Sequence, residues 1–473
     1  MLHLTPFIAL ILPLAAGMVL LAAARSFFPG RIKQISAASA GVFLVGAIAL
    51  LVQTSRGLVP GSSFAFPMGL DLNMNADYPA AYLFTLTGLL TFLIFMSFTV
   101  PSGFKKRAAD FFLPALGLLL SAAGFALSTN MLWLFIFWET ASLCSWLIKI
   151  FASRNNDPQP ADRFFIFGEF GSLLILFGVI GIYAAKGTVD LTALSNTRLP
   201  EIPVFLILCG IAVKSGLGPF SGTAGILSRT GYSAAALVHT AVLVNFGAFF
   251  FLRFFTGLNC WNSSWMTTAI IVTLAGGLVS AGASLNSDDS RKAVILSVSA
   301  NAAVAFFALC LGTADSVAGG MELMFASSVT HTGLFLCCAA AAAKCGSYDL
   351  KETPALYPAI PLIAAAFALC AMGAAGLPPA FGFTSKFVVL KAAAARGPWV
   401  TLLLLSVLLL NGISLIRLFY SIFFTGPDIK SENRVSRSIY NSALTGGALA
   451  LAFGIFAYYP AKFIETLVSV VRG

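Results

Sequence analysis

The chain has 473 residues, 59% of them hydrophobic and only 10% charged, with a mean hydropathy of +0.92. Roughly a quarter of the residues in a soluble domain are charged, so this composition excludes a soluble globular fold, a disordered chain, a collagen and a small disulfide scaffold. The net charge of +10 reads as membrane topology, because Lys and Arg gather in loops on one side of a bilayer, and not as a footprint for nucleic acid.

About 20 apolar residues cross a bilayer. Apolar stretches near that length cover residues 4–24, 35–52, 79–100, 111–127, 131–150, 163–184, 202–220, 232–255, 265–285, 292–312, 320–343, 357–395 with a break in the middle, 398–423 and 440–459. They predict an all-α polytopic membrane protein with about 14 transmembrane helices. The first ends Leu21-Ala22-Ala23-Ala24, which imitates a signal-peptidase site; its leading edge carries only His3 and no basic region, so it reads as a retained helix. Between the second and third, residues 64–74 alternate apolar and polar and predict a small hairpin outside the bilayer. The polar connections 53–78 and 424–439 are too short to fold alone, so soluble catalytic machinery would come from partner subunits.

Of the 28 basic residues, 17 fall in odd-numbered loops, Lys149 and Lys344 among them, and 7 in even-numbered loops and the tail, including Arg253 and Lys462. This bias puts the odd loops in the cytoplasm and both termini outside. The four left within spans are Lys214, Lys386, Lys391 and Arg417. Most of the eight cysteines lie inside apolar stretches, no CxxC pair occurs and there are three histidines, so no iron–sulfur or zinc site is expected on this chain.

A charge at mid-bilayer costs roughly 2.5–3.5 kcal/mol on insertion scales and by default marks an ion or proton path. Glu139 lies about two turns into the fifth stretch, Glu169 in the sixth, Lys214 in the seventh and His239 in the eighth. Glu322 and His331 are in the eleventh, and Lys386 is in the second half of the twelfth. Glu322 is close to a helix end, where solvent reaches it, and Lys391 and Arg417 are within snorkelling distance of an interface. His239 and His331 suit either a hydrogen-bonded core group or a relay. Glu139 and Lys214 are far from any loop and read as a functional pair.

Gly216-Leu217-Gly218-Pro219 follows Lys214, and Gly376-Leu377-Pro378-Pro379 precedes Lys386. Gly and Pro loosen a helix, and in lipid the freed backbone is tolerated only where it lines a cavity or is buried in protein. Two interrupted helices five spans apart, the seventh and twelfth, each with a lysine beside the break, point to two inverted five-helix repeats. The chain then divides into an N-terminal three-helix segment (1–110), a first repeat (111–255), a second repeat (265–423) and a last loop with its helix (424–473).

Six motifs carry a family likeness: Trp138-Glu139 with Ser142-Leu143-Cys144-Ser145; Gly168-Glu169-Phe170-Gly171; Ala212-Val213-Lys214-Ser215; Ala236-Leu237-Val238-His239-Thr240; the run from Asp288 to Ser297; and the run from Gly376 to Lys386. In order and spacing, from about residue 110 to 425, the chain resembles the antiporter-like subunits of respiratory complex I and membrane-bound hydrogenases, related to Mrp-type cation/proton antiporters. The resemblance implies a relay in the membrane plane. In it Glu139 pairs with Lys214, Glu169 modulates that lysine, His239 links the halves, His331 occupies the eleventh-helix lysine position and Lys386 forms the outlet. It implies a proton- or sodium-translocating subunit of a redox-driven complex, either a complex I-like NADH/quinone oxidoreductase or an energy-converting membrane-bound hydrogenase. The alternative is an Mrp-type cation/proton antiporter or an inorganic-carbon uptake complex without redox centres; a non-pumping scaffold is a third reading. The implied partners are other integral membrane subunits, further antiporter-like ones included, soluble redox subunits docked on the cytoplasmic side, and lipids of a bacterial or archaeal cytoplasmic membrane. Iron–sulfur clusters, flavin or nickel–iron would sit only on partners, with no cofactor on this chain. Two departures from the family stand out: 221–230 has none of the usual Trp, Pro or His, and Ser327 takes the place of a frequent histidine.

Overall fold

The structure, a computed structural model, describes residues 5–64, 71–98, 108–152, 159–195, 197–217, 231–258, 263–427 and 433–472. The N-terminal helices are α1 (Thr5–Phe27), α2 (Ile32–Ser55) and α3 (Tyr78–Ser97). Then come α4 (Ala108–Leu127), α5 (Met131–Ala152), α6 (Gln159–Lys186), α7 (Glu201–Lys214) and α8 (Tyr232–Thr256). The next five are α9 (Ser263–Leu285), α10 (Ser290–Leu311), α11 (Ala314–Cys345), α12 (Pro361–Ala375) and α13 (Gly382–Arg396). The chain ends with α14 (Pro398–Phe423), α15 (Arg437–Ile455) and α16 (Tyr458–Arg472). Among the described residues, 11 helices are long and apolar enough to cross a membrane, with shorter apolar helices at Ile11–Phe27 and Pro361–Ala375.

Burial sorts the helices into a centre and a rim. In α8, α10 and α11, 100%, 94% and 94% of the spanning residues are buried, against 28% in α14 and α15. A helix apolar all round belongs in a protein interior or in lipid; here the three central ones also carry the polar residues discussed below. α8 departs from regular helix over Ala236–Leu243 and Leu252–Thr256, which wind as π-helix. That widening re-aims side chains and recurs at functional sites; the first stretch holds His239.

Side-chain caps start several helices. Asp77 accepts from the Ala80 amide at α3, Asp289 accepts from Arg291 and Lys292 at α10, and Thr313 forms a capping box with Ser316 at α11. The twelfth span is broken: α12 stops before Gly376, whose φ of +84° suits glycine, and α13 begins at Gly382. α7 stops at Lys214, with Gly216 at φ +65°; its continuation past Leu217, and the altered segment 221–230, lie outside the described residues. The expected hairpin pairs β1 (Gly61–Phe64) with β2 (Leu72–Asn75), Gly61 opposite Asn75 and Phe64 opposite Leu72. It starts three residues earlier than the alternation suggested.

Four sequence expectations are corrected. Lys149 is not a loop residue: it lies inside α5 at 2% exposure. Arg253 likewise belongs to α8, where it pairs with Asp77 at 2.7 Å and donates to the Ala126 carbonyl at 2.9 Å. Glu322 is buried at 4% exposure instead of solvated, because the C-terminal segment folds over α11 and brings Glu465 near it. That segment is α16, a further helix where a tail was expected; the fourteenth span ends at Ile455.

Candidate ion-translocation site

A dense polar cluster is built by α5, α6 and the end of α7. Lys214 Nζ donates to Glu139 Oε1 at 2.6 Å, Ser172 Oγ at 2.7 Å and Ser142 Oγ at 3.1 Å. The lysine side chain is 1% exposed and the glutamate 22%. Three acceptors match the three N–H bonds of an ammonium, and the serine hydroxyls can turn to donate to a neutral amine, so the cage accommodates both protonation states. The Trp138 ring lies 5.2 Å from Nζ. Glu169, half-buried on α6, neighbours Lys214 and Glu139 and lies within side-chain hydrogen-bonding reach of the latter, while its Oε1 has no partner among the described residues.

Close packing of α6 on α7 brings these groups together. A Cβ on Gly171 would lie 2.8 Å from Lys214 Cγ and 3.0 Å from the Gly210 carbonyl, and one on Gly210 would lie 2.6 Å from the Gly171 carbonyl. Small residues facing each other let two helix backbones meet, the usual device of membrane helix pairs.

A cavity with room for roughly one water molecule separates Lys214 from His239. Ser142, Phe164, Phe165 and Gly168 also line it. His239 Nε2 is 3.5 Å from Ser299 Oγ, its buried Nδ1 makes no close hydrogen bond among the described residues, and the Ile295 backbone neighbours the ring. His331 is enclosed at 0% exposure. Its Nδ1 lies 2.8 Å from the Ser327 carbonyl, which can only accept, so Nδ1 carries the proton and Nε2, 3.0 Å from Ser297 Oγ, accepts. Thr240 to Thr332 at 2.8 Å and Asn245 to Ser328 at 3.0 Å continue a polar seam between α8 and α11.

His331 is an electrostatic neighbour of His239 on one side and of Lys386 on the other. Lys386 Nζ donates to the Ala374 carbonyl at 2.6 Å, one of the carbonyls the helix break leaves without an intrahelical partner. Asn301 donates to the same carbonyl at 2.9 Å, and Asn411 to Asn301 Oδ1 at 3.2 Å. The two halves therefore differ. Lys214 faces a carboxylate, whereas Lys386 makes no ion pair among the described residues and faces the negative end of a helix.

The six sequence-derived residues thus form a run of neighbours, from the partly exposed Glu139 and Glu169 through the buried Lys214, His239 and His331 to the buried Lys386. The seryl and amide partners were missed. Ser142 and Ser172 each stand three residues after an acid, Glu139 and Glu169, and that spacing, which puts both on one helix face, was available to find them. Asn301 and Asn411 were visible as polar residues inside apolar stretches. Lys391 is exposed on α13. Arg417 donates to the Leu285 and Ser287 carbonyls and pairs with Asp288 at 3.1 Å, holding the end of α9.

A helical polytopic membrane protein with a run of charged and polar groups inside its helix bundle is the class this arrangement defines. The family described as NADH:quinone oxidoreductase/Mrp antiporter, TM, matches residues 128–411, and the chain belongs to it. Among curated relatives, a Na(+)/H(+) antiporter subunit of Bacillus subtilis (strain 168) is 22% identical over 96% of this chain and 94% of its own. An NADH-quinone oxidoreductase subunit of Rhizorhabdus wittichii is 24% identical over 86% of this chain and 87% of its own. Among solved structures, a chain of the membrane-bound sulfane sulfur reductase, an archaeal respiratory membrane complex, shares the fold with a TM-score of 0.88 at 19% identity, covering 99% of this chain and 98% of that one.

Proposed function

We propose that this chain is the ion-translocating membrane subunit of a multisubunit complex, carrying protons through Glu139, Lys214, His239 and Lys386, with Glu169 and His331 as secondary groups. The Lys214–Glu139 pair, caged by two serines and opening on the cavity that holds His239, carries the reading. Separating such a pair changes the proton affinity of the lysine. At an effective dielectric near 20, charges 4 Å apart attract by about 4 kcal/mol and charges 8 Å apart by about half that. The difference, about 2 kcal/mol, is comparable to moving one charge through 100 mV, roughly 2.3 kcal/mol. Opening and closing the pair can therefore couple to a membrane potential.

In this reading the chain holds 14 spans as two inverted repeats, 111–255 and 265–423, flanked by 1–110 and 424–473. Odd loops face the cytoplasm and both termini lie outside a bacterial or archaeal cytoplasmic membrane. The stop of α7 at Lys214 and the α12–α13 break beside Lys386 support the repeat. The driving reaction is redox, on partner subunits that carry iron–sulfur clusters, flavin or nickel–iron, as the likeness to the NADH-quinone oxidoreductase chain suggests. The near full-length match to the Na(+)/H(+) antiporter chain favours a second reading, a cation/proton antiporter or inorganic-carbon complex without redox centres.

The test is Lys214→Ala in the purified complex, reconstituted in vesicles. Translocation is expected to vanish while the set of co-purifying subunits stays the same; acidification at the wild-type rate refutes the relay. The visible spectrum of the same preparation separates the two driving reactions: iron–sulfur absorbance marks the first, and colourless material with small membrane partners the second.

A further inference from the structure

Three buried polar side chains stand in a row on one face of α5. Ser142, Ser145 and Lys149 recur at intervals of three and four residues, which stack side chains on one side of an α-helix. Ser142 touches Lys214 at the cage. Ser145 is fully buried, and its Oγ has no hydrogen-bond partner among the described residues. The same holds for Lys149 Nζ, which sits over the ring of Phe164. From 142 to 149 the helix rises about 10 Å, toward the end of α5 that leads to the 153–158 connection.

A purely structural role does not account for Lys149. Buried ammonium groups are paired or satisfied by hydrogen bonds, and this one forms no ion pair among the described residues. The nearby acid on α6, Asp162, accepts from Trp146 Nε1 at 2.8 Å. Nor does the lysine snorkel to a surface, since it is 2% exposed. Phe164, the ring beneath it, is also a wall of the cavity shared by Lys214 and His239. Lys149 is an electrostatic neighbour of His239.

We propose that Lys149 is a proton-loading group at the α6-facing end of α5, with Phe164 as the plug between it and the cavity. Lys149 takes a proton that enters from the side of the α5–α6 connection. With the Phe164 ring turned aside, one Nζ–H bond breaks and the proton passes to a water in the cavity. That water gives a proton to a ring nitrogen of His239, the imidazolium releases a proton onward toward His331, and the neutral Lys149 amine is reprotonated from the side it was loaded from, so charge balances over the cycle. The inference rests on the reading of Lys214 as the translocating group.

The experiment uses the whole complex in vesicles, with proton movement followed by a pH-sensitive dye during turnover on its own electron donor or an imposed sodium gradient. Lys149→Met and Lys149→Arg are compared, with rates normalised to assembled complex. Arginine keeps the charge and stacks on Phe164 but does not release a proton, so it separates a proton carrier from a fixed charge. Both variants are expected to fall at least tenfold. A wild-type rate in either one overturns the proposal. Lys214→Ala runs beside them: if it is dead and the Lys149 variants are normal, only the loading role fails, and if it translocates normally the parent reading fails. Phe164→Ala is expected to raise the passive proton leak under an imposed pH gradient, and an unchanged leak removes the plug.

Discussion

Lys214 shows how a charge survives inside an apolar helix bundle: one carboxylate and two hydroxyls take all three of its N–H bonds. Removing one partner of a buried pair costs roughly 3–5 kcal/mol, because the other charge stays behind unpaired. Glu139→Gln is therefore expected to lower thermal stability in detergent clearly, and to stop translocation. Ser172→Ala, which loses one hydrogen bond to a charged group, costs about 1.5–3 kcal/mol. A melting curve for each variant checks the order; Ser172→Ala as damaging as Glu139→Gln contradicts it. The acids and lysines of this site were legible in the sequence because charge is rare in apolar stretches. Lys149 was misjudged for the opposite reason: three residues from a helix end, position along the chain does not say whether a side chain points to water or inward.

At the scale of helices, contact between α6 and α7 sets the site. Gly171 has no room for a methyl group against Lys214 and Gly210, whereas a Cβ on Gly168, one turn earlier, meets nothing within 4 Å. Overpacking typically costs 1–3 kcal/mol, and an uncrowded substitution about 0.5 or less. Gly171→Ala should melt earlier than wild type and translocate more slowly, while Gly168→Ala keeps its melting temperature. Equal melting temperatures would show that α6 and α7 yield at this crossing. The break between α12 and α13 was readable from Gly376 and the two prolines, since Pro lacks the amide a helix needs. What the lysine beside it would face was not readable: the Ala374 carbonyl, Asn301 and Asn411 come from three different helices.

Across the whole molecule, Asp288 ties together parts of the chain far apart in sequence. Its carboxylate meets Lys351 at 2.7 Å and Arg417 at 3.1 Å, and the Leu350 amide donates to its carbonyl. The Lys351 hydrogen bond first, then Arg417, holds the carboxyl below its ordinary value of 3.8; the same partner raises Lys351. A depressed carboxyl stabilises the fold above its unfolded value, about 3.9, and the contribution is lost as pH falls through the folded value. The raised lysine acts the other way, contributing fully below its unfolded value near 10.4 and losing that as pH rises through the folded one. Melting temperature is thus expected to drop as the medium is acidified below about pH 4. Asp288→Asn should shrink that drop, and high salt should weaken the tie because the groups are exposed. An Asp288→Asn titration that overlays wild type rules out the tie.

Hydropathy alone determined that the chain is a helical membrane protein, because a bilayer core tolerates only segments that satisfy their own backbone. The rarity of ionisable groups in apolar stretches, with the family motifs, picked out Glu139, Glu169, Lys214, His239, His331 and Lys386. Only the tertiary structure decided which of them meet, that Lys214 has a carboxylate while Lys386 has a helix end, and that Lys149 and Glu322 are buried. Those facts depend on how α6 crosses α7, and on where α16 folds back, and packing between helices is settled by shapes from distant parts of the chain that no local pattern encodes.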